Sequence, residues 1–293
     1  MYKRILVPLD GSKLAEGILP TVDQFARGLK ARVELLAVVD KNLVVPGGGR
    51  ATTRVATDAK TRAEVYLRAV IDQANLPKER TSLTATVATV SEDIVKEAGR
   101  EPDTLIAIST HGRSGLGRFR LGSVVDKVLH EAKEPLLLYR ARQWAVSAPL
   151  SAVVVPLDGS ALAEQALPHV RALAKALHLR VLLVRVQSNV HTYETGEGID
   201  WYPADFQEQI DADADTYLAN QEKRLRADGL TDVSTQLLDG SAASAIVDLV
   251  QEIPNCFVAI CTRGRTGAAR AVFGSVADRI VDYSNAPVLV IKP

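Results

Sequence analysis

Apolar runs rich in β-branched residues alternate along the chain with longer segments in which apolar residues have helical spacing. Each run is nearly continuous, which predicts a strand whose two faces are both covered. In the first half the predicted strands are Arg4–Leu9, Arg32–Val39, Leu83–Thr89, Thr104–Ile108 and Pro135–Tyr139. In the second half they are Ala152–Leu157, Leu179–Val186, Val233–Leu238, Cys256–Ile260 and Pro287–Ile291.

Helices are predicted between these strands. Helical spacing covers Lys13–Leu29, Thr57–Ala74, Glu92–Gly99, Ser123–Glu131 and the segment from about Pro203 to Arg226. Pro20 and Pro168 lie inside the first helix of each half and predict a kink there. Ser12 and Ser160 are suited to cap these first helices. Residues 40–55 and 187–202 follow the second strands and are expected to form loops near the same crevice.

The chain contains two tandem copies of one domain. Val-Pro-Leu-Asp-Gly-Ser at residues 7–12 recurs at 155–160. Strands alternate with helices in both copies, so we expect an α/β fold with two tandem flavodoxin-like (HUP-type), doubly wound, five-stranded parallel sheets of order 3-2-1-4-5. The predicted domains are residues 1–140 and 151–293, joined by the linker 141–150. Pairing of the last strands would cover two sheet edges and make an intramolecular pseudo-dimer.

Composition and charge exclude several classes of protein. Lysine and arginine together number 35 and balance 35 aspartates and glutamates, so no global field attracts nucleic acid or an anionic membrane. We find no membrane-spanning run and no signal peptide, and we therefore expect a cytoplasmic protein without membrane or nucleic-acid partners. Cys256 and Cys261 lack CxxC spacing, which favours buried thiols over a metal cluster, although an oxidant-sensing role for Cys261 stays open.

A basic, glycine-rich loop follows the fourth strand of each copy. It covers Ser109–Ser123 in the first copy and Cys261–Ser275 in the second. Glycines let a backbone approach a ligand closely, and the free N–H groups of the next helix start face an anion, so the loop predicts a phosphate site. Ser123 and Ser275 could each cap that helix and donate to a phosphate oxygen. The expected strand order brings this loop to the same crevice as Asp10.

These features resemble the universal stress protein family in its tandem, UspA-like form. The family's nucleotide loop reads G-x2-G-x9-G-[ST], and the nine-residue gap separates Gly112 from Gly122-Ser123 and Gly264 from Gly274-Ser275. Ser109 and Cys261 replace the opening glycine. The resemblance covers essentially the whole chain. It implies binding of ATP or another adenine nucleotide as a stress-response signal, with Mg²⁺ as a candidate companion and little or no hydrolysis.

The resemblance also implies a set of binding positions. Asp10 and Asp158 would lie near the ribose or phosphate and any Mg²⁺, whereas Val38 and Val186 would offer backbone groups to adenine. The first copy's positions are Pro8, Asp10, Gly11, Ser12, Val38, Ser109, His111, Gly112, Arg113, Gly115, Gly122, Ser123 and Val124. The second copy's positions are Pro156, Asp158, Gly159, Ser160, Val186, Cys261, Gly264, Arg265, Gly267, Gly274, Ser275 and Val276. No catalytic residue is implied.

Other interpretations stay open at this point. The Ser109 and Cys261 substitutions favour a stress-response scaffold that binds no nucleotide. A weak Mg²⁺-dependent ATPase would require Asp10, yet no general base that could activate water is apparent. Asp10 and Asp158 could instead be turn residues only. The sequence also leaves open whether one or both copies bind, whether the chain forms a homodimer, and which protein partner it has.

Overall fold

A computed structural model of the chain contains one continuous ten-stranded sheet. The structure describes residues 1–44, 50–110, 121–140, 148–187, 194–195, 198–199, 204–262 and 274–293. The first half supplies β1 Arg4–Pro8, β2 Arg32–Asp40, β3 Thr81–Ala88, β4 Thr104–Ser109 and β5 Leu136–Tyr139. The second half supplies β6 Ala152–Pro156, β7 Arg180–Gln187, β8 Glu194–Thr195, β9 Gly198–Ile199, β10 Val233–Asp239, β11 Cys256–Cys261 and β12 Val288–Ile291.

Helices connect the strands. In the first half they are α1 Lys13–Glu16, α2 Leu19–Leu29, α3 Lys41–Val44, α4 Arg50–Gln73, α5 Val90–Ala98 and α6 Ser123–Glu131, with a 3-10 turn at Lys78–Arg80. In the second half they are α7 Ala161–Glu164, α8 Ala166–Leu177, α9 Ala204–Ala227, α10 Ala242–Glu252 and α11 Ser275–Tyr283. Across the described ranges, no helix is both long enough and apolar enough to cross a membrane.

The strand order confirms the predicted topology. It runs β3-β2-β1-β4-β5 in the first half and β10-β7-β6-β11-β12 in the second, which is the order 3-2-1-4-5 in both. Within each half, all strand pairs of the ten-stranded sheet are parallel. One buried apolar cluster lies on each face of the sheet, because both faces are covered by helices.

The two halves join through their last strands, as predicted. β5 and β12 pair antiparallel with Leu138 opposite Val288, so two sheet edges become interior. Phe25 of the first half packs edge-on against Phe257 of the second, with ring centroids 5.7 Å apart. The Gln24 side-chain amide also bridges the halves, because it donates to the Leu150 carbonyl at 2.7 Å and accepts from the Leu150 N–H at 2.8 Å. The two halves therefore share one continuous sheet.

The predicted helix Lys13–Leu29 is wrong as a single helix. α1 ends at Glu16 and α2 begins at Leu19, and the same break separates α7 from α8 after Glu164. Pro20 and Pro168 explain both breaks, because a proline has no N–H to bond the carbonyl four residues earlier, which belongs to Glu16 or Glu164. The kink predicted at the prolines themselves therefore lies up to four residues earlier.

The loop expected at residues 40–55 is also partly wrong. α3 and the first residues of α4 lie within it, and α4 begins at Arg50 rather than at Thr57. The segment 40–55 carries a Pro-Gly-Gly-Gly stretch, which masked the helical pattern on either side. In the corresponding second segment, 187–202, the short strands β8 and β9 pair antiparallel, with Glu194 opposite Ile199.

Close helix packing at Gly28 makes the junction between the halves sensitive to added side chains. A Cβ atom at Gly28 would lie 2.6 Å from Leu177 Cδ2 and 2.7 Å from the Ala176 carbonyl oxygen. Gly28→Val is therefore expected to lower the free energy of unfolding by about 1–3 kcal/mol, measured by urea denaturation. Gly99→Ala is the control, because its Cβ would meet only ordinary contacts at 3.6 Å. Equal stabilities of the two variants would contradict this packing.

Candidate functional site

The end of the first strand and the end of the fourth lie side by side at one edge of the sheet. β1 pairs with β4, with Leu6 opposite Ile106, and the two strands end at Pro8 and Ser109. The expected crevice between the first-strand turn and the fourth strand therefore has a counterpart in the topology. The corresponding strand ends in the second half are Pro156 and Cys261.

A tight Asp-Gly-Ser turn leads from the first strand into the first helix. Asp10 Oδ1 accepts hydrogen bonds from the Ser12 N–H at 3.0 Å and from the Ser12 hydroxyl at 2.6 Å. Ser12 Oγ in turn accepts from the Ala15 N–H at 3.1 Å and caps α1, which confirms its expected capping role. Gly11 has a φ of +85°, a conformation that favours glycine. The aspartate thus holds the turn and stays exposed at the crevice.

The second half builds the same turn with nearly the same dimensions. Asp158 Oδ1 accepts from the Ser160 N–H at 2.9 Å, Ser160 Oγ accepts from the Ala163 N–H at 3.1 Å, and Gly159 has a φ of +87°. A turn role accounts for these contacts of both aspartates. It does not exclude a ligand, because a carboxylate has further lone pairs beyond those that the serine occupies.

Val38 lies where β2 continues past the end of β1. The Leu9 N–H donates to the Leu36 carbonyl at 2.8 Å, so the Leu36 backbone faces β1. The backbone N–H and C=O groups of a strand point to alternate sides at successive residues. The backbone groups of Val38 therefore point to the same side as those of Leu36, toward β1, but beyond its last residue. Val186 has the same placement in the second half, because the Leu157 N–H donates to the Val184 carbonyl at 2.8 Å.

The helix that follows each glycine-rich loop starts differently from the expectation. Gly122 is the N-cap of α6 and Gly274 that of α11, and neither helix has a side-chain capping bond. Ser123 and Ser275 are instead the first residues inside their helices, so the predicted capping by these serines is wrong. The Gly122 N–H donates to the Thr110 carbonyl at 3.1 Å, which ties the helix start to the end of β4. Val124 and Val276 follow in the first turns.

Seven predicted site residues lie outside the described ranges. They are His111, Gly112, Arg113, Gly115, Gly264, Arg265 and Gly267.

A tyrosine–glutamate pair beside each turn escaped the sequence analysis. The Tyr66 hydroxyl of α4 donates to Glu16 Oε1 at 3.2 Å, and the Tyr217 hydroxyl of α9 donates to Glu164 Oε1 at 3.2 Å. Burial and then the glutamate charge raise the pKa of each phenol, so both hydroxyls stay protonated as donors. The sequence signal for these pairs is the recurrence of Leu-Ala-Glu at 14–16 and 162–164. The tyrosine partners of Glu16 and Glu164 lie about 50 residues further along the chain, so only the fold brings each pair together.

Arg185 marks a difference between the halves at the candidate site. Its guanidinium carbon lies 5.3 Å from the centroid of the Tyr217 ring, whereas the matching residue of β2 is Ala37. Burial raises the pKa of the Asp158 carboxyl, but the Ser160 hydrogen bonds and the Arg185 charge outweigh it, and the net pKa lies below its ordinary value. Asp158 therefore remains an anion and a weak base at neutral pH.

The described residues supply a poor donor set for a dedicated metal site. They contain no group of three or more histidine, cysteine, aspartate or glutamate side chains placed to hold an ion. Each turn contributes one exposed aspartate. Mg²⁺ is commonly bound through one or two carboxylates together with substrate phosphates, so Asp10 or Asp158 fits only a cation that the nucleotide itself brings.

The thiols are expected to react slowly. Burial raises the pKa of Cys256 and of Cys261 to about 11 each. A thiol is protonated below its pKa, so at pH 8 roughly one molecule in a thousand carries a given thiolate, and this fraction rises about tenfold per pH unit. Labelling by a disulfide reagent at pH 8 should be far slower in the native chain than in urea. A native rate equal to the unfolded rate at pH 7–8 would contradict the burial and would support a redox role for Cys261.

Comparison with known proteins identifies a family in both halves. The family model described as "Universal stress protein family" matches residues 1–140 and again residues 150–292. The curated universal stress protein Rv2623 of Mycobacterium tuberculosis is 29% identical over 237 residues, which cover 77% of this chain and 76% of that protein.

Among solved structures, a full-length alignment shows the same fold. A universal stress protein from Archaeoglobus fulgidus aligns over 100% of this chain and 99% of its own, with 20% identity and a TM-score of 0.74. A universal stress protein solved in complex with cAMP aligns over 49% of this chain and 98% of its own, with 21% identity and a TM-score of 0.36.

Proposed function

This chain belongs to the universal stress protein family, and we propose that each half binds an adenine nucleotide, such as ATP, at the carboxyl ends of its first and fourth strands. The observation that supports this most is the direction of the Val38 and Val186 backbone, which faces the side of β1 and β6 beyond the last residue of each strand. Those groups suit the edge of an adenine ring. The exposed Asp-Gly-Ser turn at the same edge suits the ribose and phosphates.

We propose that the bound nucleotide acts as a stress-response signal with little or no hydrolysis. Hydrolysis needs a base whose pKa is matched to the operating pH. The lowered pKa of Asp158 and the raised phenol pKa values of Tyr66 and Tyr217 leave these three groups unsuited to that role. Any Mg²⁺ would enter with the phosphates beside Asp10 or Asp158. We also place the chain in the cytoplasm, where its free thiols would stay reduced.

The test is the nucleotide content and ligand response of the purified full chain. After denaturation, ion-exchange chromatography of the supernatant should show ATP or ADP, at about one or two per chain if the sites remain filled. Added ATP should raise the melting temperature of nucleotide-free protein, because a ligand that binds only the folded state stabilises it. No nucleotide and an unchanged melting temperature in millimolar ATP would favour the scaffold alternative, in which the aspartates serve only the turns.

A further inference from the structure

The two halves present different chemistry at one matched position of the second strand. Leu36 pairs with Pro8 and Val184 pairs with Pro156, so the next residues, Ala37 and Arg185, occupy equivalent places. Ala37 is buried, with 5% of its surface exposed. Packing alone does not require an arginine at this position, because alanine fills the equivalent position of the first half.

The Arg185 side chain is held in one place by its neighbours. Its guanidinium lies over the Tyr217 ring, and Tyr217 is fixed by its hydrogen bond to Glu164. Gln221 anchors the same carboxylate at 2.9 Å. Stacking on an aromatic face is favourable for a guanidinium and restricts its rotamers. The side chain therefore loses less conformational entropy when it binds a ligand.

This guanidinium lies against the candidate crevice. A Cβ atom at Gly159 would be 3.3 Å from Arg185 Nη1, so the cation lies against the turn between Asp158 and Ser160. Within the described ranges, Arg185 has neither an ion pair nor a side-chain hydrogen bond, so the Tyr217 ring is its main side-chain contact there. The adjacent residue is Val186, whose backbone faces the same opening.

We propose that Arg185 binds a phosphate group of the nucleotide in the second half, so that this half prefers phosphorylated ligands more strongly than the first half does. The assignment rests on the proposed nucleotide function of the crevice. Guanidinium groups bind phosphate oxygens through paired, charge-assisted hydrogen bonds, which alanine at the matched position cannot make. The two sites of one chain therefore differ in their dependence on ligand charge.

Calorimetric titration of the full chain with ATP and with adenosine tests this assignment. Arg185→Gln should weaken ATP binding at one of the two sites by about tenfold to one-hundredfold and leave adenosine binding unchanged. Arg185→Lys should lie between the wild type and Arg185→Gln for ATP, because it keeps the charge without the planar donors. The matched control is Arg171→Gln, which removes a positive charge of the same half from an exposed pair with Asp228.

Each outcome decides the assignment. Equal loss of ATP and adenosine affinity in Arg185→Gln would indicate a structural role and would overturn the proposal. Unchanged ATP affinity would overturn it as well, and tighter ATP binding would show that Arg185 fills the crevice instead. If the wild type binds neither ligand, the nucleotide function itself has failed, which is distinct from failure of Arg185 alone.

Discussion

Glu34→Leu is expected to lower the free energy of unfolding by about 3–5 kcal/mol, because it leaves a buried guanidinium without its counter-ion. The Arg4 side chain is only 2% exposed, and its Nη2 lies 2.9 Å from Glu34 Oε2. Arg4 Nε donates to the same oxygen at 3.0 Å, and Thr84 donates to Glu34 Oε1 at 2.7 Å. Removing the carboxylate breaks this network at its centre. Urea denaturation followed by circular dichroism measures the loss.

The second half shows that an apolar pair fits the same place. Ala152 and Leu182 stand where the first half has Arg4 and Glu34, and Ala152 and Leu182 are both buried. The double variant Arg4→Met with Glu34→Leu is therefore expected to recover most of the stability that Glu34→Leu loses. If Glu34→Leu costs less than about 1 kcal/mol, or if the double variant is no more stable than Glu34→Leu, the Arg4–Glu34 network does not stabilise the fold.

An exposed pair provides the control for charge removal. Arg32 and Glu101 form an ion pair whose side chains are 59% and 44% exposed. Exposed pairs contribute about 1 kcal/mol or less, so Glu101→Leu should change the free energy of unfolding far less than Glu34→Leu does. Similar losses in both variants would mean that burial does not distinguish the two pairs.

Valine at both Gly122 and Gly274 is expected to weaken ATP binding by about one-hundredfold or more, equivalent to about 2.7 kcal/mol, with the fold intact. Gly122 has a φ of −61°, which valine can adopt, so the backbone itself is not strained. Its added Cβ would lie 3.2 Å from the Thr110 carbonyl oxygen, and no described atom lies within 4 Å of a Cβ at Gly274. A β-branched side chain there would stand between a phosphate and the helix start.

Single variants then separate the two halves. Gly122→Val should remove the binding of the first half and Gly274→Val that of the second, as measured by calorimetric stoichiometry. The alanine variants at both positions are the matched controls, and they should retain more affinity because one methyl group intrudes less. Undiminished ATP binding in the double valine variant, with unchanged melting, would locate the phosphate elsewhere.

The strands and their order were predictable from the sequence because buried parallel strands are short apolar runs and because each run occurs in both copies of the domain. Helix breaks were harder to predict. The prolines at 20 and 168 were visible, but the break depends on the carbonyl four residues earlier, at Glu16 and Glu164. The sequence predicts Ser123 as the cap of α6, whereas Gly122 occupies that position.

Side-chain contacts between residues far apart in the sequence could not be predicted in the same way. Tyr66 meets Glu16 across 50 residues, and Arg4 meets Glu34 across 30, so each pair exists only once the sheet has formed. The difference between Ala37 and Arg185 was present in the alignment of the two copies. Its meaning required the position of Tyr217, which lies in α9, about 30 residues further along the chain.

Equilibrium dialysis of labelled ATP against the nucleotide-free full chain tests the central claim most directly. Binding should be saturable, should reach at most about two nucleotides per chain, and should be lost in the double variant Gly122→Val with Gly274→Val. An absence of saturable binding at millimolar ATP, or equal binding by the wild type and the double variant, would contradict nucleotide binding at the carboxyl edge of the sheet.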